Sequence, residues 1–164
     1  MISRTYILDN LKRLDASYKK TSHNKNAYYF SKLAILELCG WIETSMDDVI
    51  IRHCNRHIIM KPNTDYVEKE VVRRTYGFEY DQHFRYMLIR LVGIITTEQI
   101  ERSISVAVAT LFRAELTSLK SIRDSLAHTY AKSIPPIDAP SRTIARFQPL
   151  YEGLMAYDKA LRQL

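Results

Sequence analysis

The sequence predicts an all-α protein, an up-and-down bundle of about five to seven helices. Three observations carry that expectation. Apolar residues recur at three- and four-residue intervals over most of the chain. Four Gly and five Pro in 164 residues are few for a fold built of tight turns. A hydrophobic share of 46% against 26% charged residues belongs to a globular chain rather than a disordered one. The length suits one domain over residues 1–164 and is short for two domains and a linker.

Tyr6, Leu11, Leu14 and Tyr18 set a first helix over residues 4–20, and the polar stretch Thr21 to Asn26 reads as the loop after it. A long second helix is expected from about Ala27 to Ile59. In it Leu33, Leu36, Gly40 and Thr44 form a closely packing face, widened by Phe30, Leu38, Trp41 and Ile42. Pro62 and Asn63 mark a connection, and Asn63 or Thr64 is expected to cap a helix carrying Tyr66, Val67, Val71 and Val72. Gly77 breaks the pattern, and a short helix follows from Asp81 to Leu91. Thr96 and Gln99 have capping-box spacing, which predicts a long helix opening at Thr97 with a break near Ala114. Pro135, Pro136 and Pro140 form a loop, and Ser141 is expected to cap a last helix that bends or restarts at Pro149.

The formal net charge is +6, with much of the excess near the N-terminus in Lys12, Arg13, Lys19, Lys20, Lys25 and Lys32. That basicity is compatible with a nucleic-acid face and equally with solvated helix surface. Cys39 and Cys54 make neither a disulfide framework nor, without a second pair, a zinc site. The longest near-apolar stretch, Met87 to Ile95, is interrupted by Arg90 and is too short to cross a bilayer. With no signal-peptide pattern at the start, the expectation is a cytoplasmic protein without membrane partners. His53 and His57 stand four apart, but no Glu occupies the metalloprotease position between them and no third ligand is evident. The glycines are scattered, so no phosphate-cradling loop is expected. No metal or cofactor is expected.

The chemistry concentrates in Ser121 to Tyr130. Arg123 and His128 bring an always-charged guanidinium and a titratable imidazole to one helix end. They diverge by about 140° around an undistorted helix, so a loosened end or a second copy must bring them to one phosphate. Asp124 and His128 share a face, which lets the carboxylate orient the ring. A neutral His128 can take the proton of a ribose 2′-hydroxyl, and Arg123 can hold the phosphate and stabilise the charge on five-coordinate phosphorus. DNA lacks that nucleophile, so the chemistry selects RNA. Ser125, Thr129 and Tyr130 can add substrate hydrogen bonds, and the Tyr130 ring can stack on a base. The same Arg-to-His spacing occurs at Arg52 and His57, without an acidic residue at the Asp124 position. Read as ordinary helix surface, Arg123 is a solvated charge and His128 a favourable cation at a helix C-terminus.

Arg123, Asp124 and His128, with Ala127 before the histidine, resemble the signature of the HEPN superfamily (higher eukaryotes and prokaryotes nucleotide-binding domains), and within it the stand-alone RiboL-PSP-HEPN group. The helix around Leu33, Glu37, Trp41 and Glu43 and the segment Tyr76 to Gly93 look like the same group. The resemblance implies a helical bundle that dimerises so that two motif helices line one cleft. It implies metal-independent RNA cleavage leaving 2′,3′-cyclic phosphate and 5′-hydroxyl ends, in a toxin paired with an antitoxin or in defence against phage. On that footing Arg123, His128 and Asp124 are catalytic candidates, and Ser125, Thr129, Tyr130 and Glu37 are substrate-binding ones. The alternative is a non-catalytic helical adaptor or nucleotide-binding subunit that holds a protein partner.

Overall fold

The computed structural model describes residues 2–127 and 136–164, and every regular element among them is helical. α1 spans Thr5–Lys20, α2 Asn24–His57, α3 Lys61–Tyr66, α4 Arg85–Ser103, α5 Val106–Ala127 and α6 Pro140–Leu161. α2 has 34 residues, about 51 Å of helix at 1.5 Å per residue. It packs against α1, α5 and α6, and α6 packs in turn on α1, α4 and α5. No helix among the described residues is long and apolar enough to cross a membrane.

The register of α2 follows from its sequence. Ala34, Ile35, Leu38, Ile42, Met46, Val49 and Ile50 recur at three- and four-residue spacing, and all are buried. Each Ile, Leu, Met or Val among them taken from water stabilises the fold by roughly 1.5–3 kcal/mol before entropy is counted. The expected closely packing face is elsewhere than predicted. Leu33, Leu36, Gly40 and Thr44 lie on the outer side of α2, exposed. The inner side has more and larger apolar residues, and burying it removes more surface from water.

Between α2 and α4 the chain departs from α-helix. α3 opens with Pro62 in its first turn and Met60 as the capping position, so Asn63 and Thr64 are inside the helix rather than caps. Val67–Val72 and Tyr80–Phe84 are π-helical turns, closed by Arg73 N donating to Glu68 O (3.0 Å) and Phe84 N to Glu79 O (3.1 Å). Gly77 sits between them at φ 126. The predicted helix start at Thr97 is also displaced. Gly93, at φ 81 and ψ 162, interrupts α4 instead, and Thr97 Oγ1 donates to Gly93 O at 2.8 Å. The next break falls between Ser103 and Val106, not near Ala114. α6 begins at Pro140 behind Ala139, one residue before the predicted cap Ser141, and it contains Pro149 within its length.

A partly buried carboxylate ties the irregular segment to the bundle. Glu101 Oε1 accepts hydrogen bonds from Tyr80 OH (2.7 Å), Arg85 Nε (2.9 Å) and Arg113 (3.2 Å). The Arg113 guanidinium lies 3.9 Å from the Tyr80 ring centroid. Burial pushes the Tyr80 phenol above its ordinary range, so it stays a donor. Tyr80, Phe84, Phe112 and Tyr157 form an aromatic cluster directly beneath.

α5 and α6 meet over that cluster at Gly153, where an added Cβ would stand 2.3 Å from Phe112 Cγ. Only a residue without Cβ allows this approach. Gly153→Ala is therefore expected to lower the free energy of unfolding by about 1–3 kcal/mol, despite the gain in helix propensity, as overpacking outweighs it. Urea denaturation checks this, and an unchanged or raised stability would show that the two helices can part cheaply.

Candidate functional site

Arg123 lies in the last turns of α5, whose apolar residues Phe112, Leu116, Leu119 and Leu126 hold the helix against the core. That anchoring aims Arg123 and Asp124 at the boundary with α2 and the segment carrying Phe78. The Arg123 guanidinium carbon is 5.5 Å from the centroid of the Phe78 ring. Its Nε is 2.9 Å from Asp124 Oδ1, in the geometry of an ion pair rather than an aligned hydrogen bond. Asp124 also takes Lys120 Nζ at 3.1 Å, one helical turn earlier. Lys120 Nζ stands 3.7 Å from Glu79 Oε2, next in sequence to Phe78.

Exposed pairs of this kind are screened by water and add little stability, and the cation–π contact at a half-exposed site adds little more. Their effect here is orientation more than stability. They hold a guanidinium with 33% of its side chain exposed beside a carboxylate with 40% exposed. Among the described residues, the terminal nitrogens of Arg123 donate no hydrogen bond. Those nitrogens are the donors that a phosphate takes in pairs.

On the α2 side, Cys39 lies within electrostatic reach of Arg123, Glu43 and Asp124. Burial pushes its thiol up to about 12, with Arg123 pulling the other way, so it is no nucleophile at neutral pH. Glu43 accepts a hydrogen bond from Gly77 N at 2.7 Å, fixing the turn before Phe78. The same turn is wedged by His83, whose ring atoms would stand 2.7–3.1 Å from a Cβ on Gly77. His83 Nδ1 accepts the Glu79 N–H at 3.1 Å, so its Nε2 carries the proton of the neutral ring.

Three of the seven sequence candidates, His128, Thr129 and Tyr130, fall outside the described residues. Ser125 is within them and exposed; its Oγ donates to Ile122 O at 2.7 Å, and it borders a cavity of about 340 Å³ with Ile35, Ile137 and Asp138. Glu37 is not brought to Arg123. It lines a separate groove of about 450 Å³ along α1, where Asn10 Nδ2 donates to it at 3.2 Å. Trp41 packs on Phe147 and donates to Ser3 O at 2.8 Å, half-buried against the core at the edge of that groove.

The Arg52 and His57 repeat has a different setting. Arg52 pairs with buried Asp158 at 3.4 Å, and His57 stacks on His53 at 4.3 Å between ring centroids. Burial lowers the pKa of His53, with His57 acting in the same direction. Of the basic N-terminal residues, Arg13 is paired with Asp9 (2.9 Å) and Lys19 with Asp15 (2.6 Å). Among the described residues, no cluster of three or more His, Cys, Asp or Glu could hold a metal ion.

Phe78, Glu79, Glu43 and Cys39 complete the surroundings of Arg123, and the local pattern around residue 123 contains none of them. The Lys120–Asp124 pair has a legible signal, its four-residue spacing. Gly77→Ala is expected to cost about 1–3 kcal/mol, from strain at positive φ and from collision with His83. Adding His83→Ala should recover the steric part and leave the backbone part. Equilibrium unfolding of the single and double variants checks this, and full recovery in the double variant would remove the φ argument. Comparisons with family models, with curated proteins and with solved structures found no match to this chain.

Proposed function

We propose that the chain is a HEPN-like, metal-independent RNA endonuclease working as a pair of chains, with Arg123 and His128 as its reacting groups. The observation that carries the reading is the state of Arg123. Its guanidinium is held in place by Phe78 and Asp124 at the end of α5, while its terminal nitrogens donate no hydrogen bond among the described residues. An always-charged, oriented fork at a surface suits a phosphodiester, whose two non-bridging oxygens match it.

In this mechanism the His128 imidazole removes the proton from a ribose 2′-hydroxyl. The oxygen attacks the adjacent phosphorus, and the bond to the 5′-oxygen breaks. That oxygen takes a proton from the acid form of an imidazole and leaves as a 5′-hydroxyl. The other product is a 2′,3′-cyclic phosphate. Arg123 stabilises the charge that gathers on the phosphoryl oxygens, the work a divalent ion performs in metal-dependent nucleases. Asp124, already engaged with Lys120 and Arg123, keeps negative charge beside the cations and orients them. Ser125, Thr129 and Tyr130 contact substrate, while Glu37, placed along α1, is left out of the reacting group. A cytoplasmic toxin or anti-phage effector restrained by an antitoxin protein is the setting that fits such an activity.

Purified protein in EDTA is expected to cut single-stranded RNA and spare the matching DNA. His128→Ala should remove most cutting, by about 10²–10⁴-fold. Arg123→Ala should fail as well with weaker RNA binding, and Arg123→Lys should recover only part because the planar fork is gone. Asp124→Asn should be milder, and His57→Ala should retain activity. RNA carrying 2′-O-methyl groups should bind and resist. Efficient cleavage by the His128→Ala protein, or of the blocked RNA at the same bonds, would sink the mechanism. A folded wild-type protein that binds a partner and cuts no RNA would favour the adaptor.

A further inference from the structure

The outer side of α2 carries a stripe that the chain itself does not cover. Tyr29, Leu33, Leu36, Gly40 and Thr44 fall within about 80° of one another at 100° per residue. Tyr29 is 50% exposed, Leu33 44% and Leu36 36%, and Gly40 and Thr44 are exposed. A Cβ added to Gly40 would meet nothing. Gly40 and Thr44 are also the saddle between two open grooves. One, of about 450 Å³, runs past Tyr6 and Trp41; the other, of about 490 Å³, runs past Glu43, Asp47 and Tyr76. Apolar knobs and an open hole thus lie on one helix face, four to seven residues apart.

Charge along the same face is divided. Lys25 and Lys32 lie toward the N-terminal end, and Glu43 and Asp47 toward the C-terminal end, while Asp48 falls on the opposite flank of the helix. Glu43 is engaged by Gly77 N and Asp48 by Arg52 at 3.8 Å. Among the described residues, neither Lys32 nor Asp47 has an ion pair or hydrogen bond. Burial, together with Glu43 and Asp48, raises the Asp47 carboxyl to about 7. It is an acidic group without a cation, on a helix that carries a cation without an acidic partner.

We propose that this stripe docks a second copy of the chain, antiparallel, with Leu36 of each copy seated on Gly40 of the other and Leu33 one turn further along the seam. A two-fold axis passing between Leu36 and Gly40 sets Leu36 opposite Gly40 and Lys32 opposite Thr44. Lys32 then reaches Glu43 and Asp47 of the second copy, since its side chain spans about one helical turn. The same contacts form twice, as an isologous interface requires. An unrelated partner would need this division of charge in reverse, whereas a second copy supplies it by symmetry.

The axis also decides where the Arg123 patches go. A two-fold relating antiparallel neighbours is normal to the plane holding both helices, so each flank of the seam stays on its own side. Cys39, about 100° from Gly40 around α2, marks the Arg123 flank. Both Arg123 patches therefore lie on one face of the pair, beside the seam. This deepens the ribonuclease reading by naming the surface that joins the chains, while the pairing itself requires no RNA chemistry.

Sedimentation equilibrium of the full chain is expected to show dimers, and Leu36→Lys to give monomers with an unchanged helical circular-dichroism spectrum. Lys32→Glu and Asp47→Lys should each weaken the dimer by about tenfold or more. Mixing the two single variants should restore it, because both junctions then pair opposite charges; Lys32→Glu with Asp47→Lys in one chain should also restore it. Monomers of the wild-type chain up to roughly 100 μM, or a dimer unmoved by Leu36→Lys and by the charge exchange, would overturn the proposal. RNA cleavage is read separately. A wild-type dimer that cuts nothing overturns the ribonuclease reading and leaves the interface standing.

Discussion

The Glu101 carboxylate is the constraint on which the candidate site rests. It is largely withdrawn from water, and Tyr80, Arg85 and Arg113 supply three donors to one oxygen. Arg85 and Tyr80 come from the junction of the π-helical turn and α4, and Arg113 from α5. The clamp therefore fixes the start of α4 against α5. The preceding loop has little freedom left, and Glu43 and His83 take up the rest at Gly77. Phe78 and Glu79 follow at once, under Arg123 and beside Lys120. The geometry of a surface arginine is thus set by a partly buried network more than a turn of helix away.

The two π-helical turns fit the same account. An i→i+5 bond is a poorer bargain for the backbone than an i→i+4 bond and persists where side-chain placement demands the wider turn. Val67–Val72 keeps Val67, Val71 and Val72 on the core side, and Tyr80–Phe84 turns both aromatic rings into the cluster with Phe112 and Tyr157. One extra residue in each turn changes the face that the following residues present.

Those departures mark the limit of what was legible in the sequence. The all-helical class, α1, α2 and α6 were readable because their apolar residues repeat at helical spacing over many turns, so that burial and local preference agree. Gly77 was readable as a break. Gly93 was not, and the capping-box spacing of Thr96 and Gln99 was misleading, because the Thr97 hydroxyl is engaged with Gly93 O inside a helix. Leu33, Leu36, Gly40 and Thr44 were readable as a packing face but not as one turned outward: periodicity gives an angle around a helix, and α2 has apolar residues at most angles. Around the site, Lys120, Arg123 and Asp124 were legible from local spacing. Phe78, Glu79, Glu43 and Cys39 reach Arg123 only through tertiary packing, which a single sequence leaves unstated.

Cys39 and Cys54 both lie on α2, both are free, and burial raises both thiols. Thiolate is the form that alkylating and oxidising reagents attack. In the native fold those reagents find almost none of it, and labelling must wait for local opening of the helix. The two positions are roughly four turns apart, Cys39 beside the Arg123 patch and Cys54 near the end of α2. The natural chain therefore carries a pair of internal gauges on its longest helix. Their relative labelling rates read out, residue by residue and without any added probe, which end of that helix breathes first.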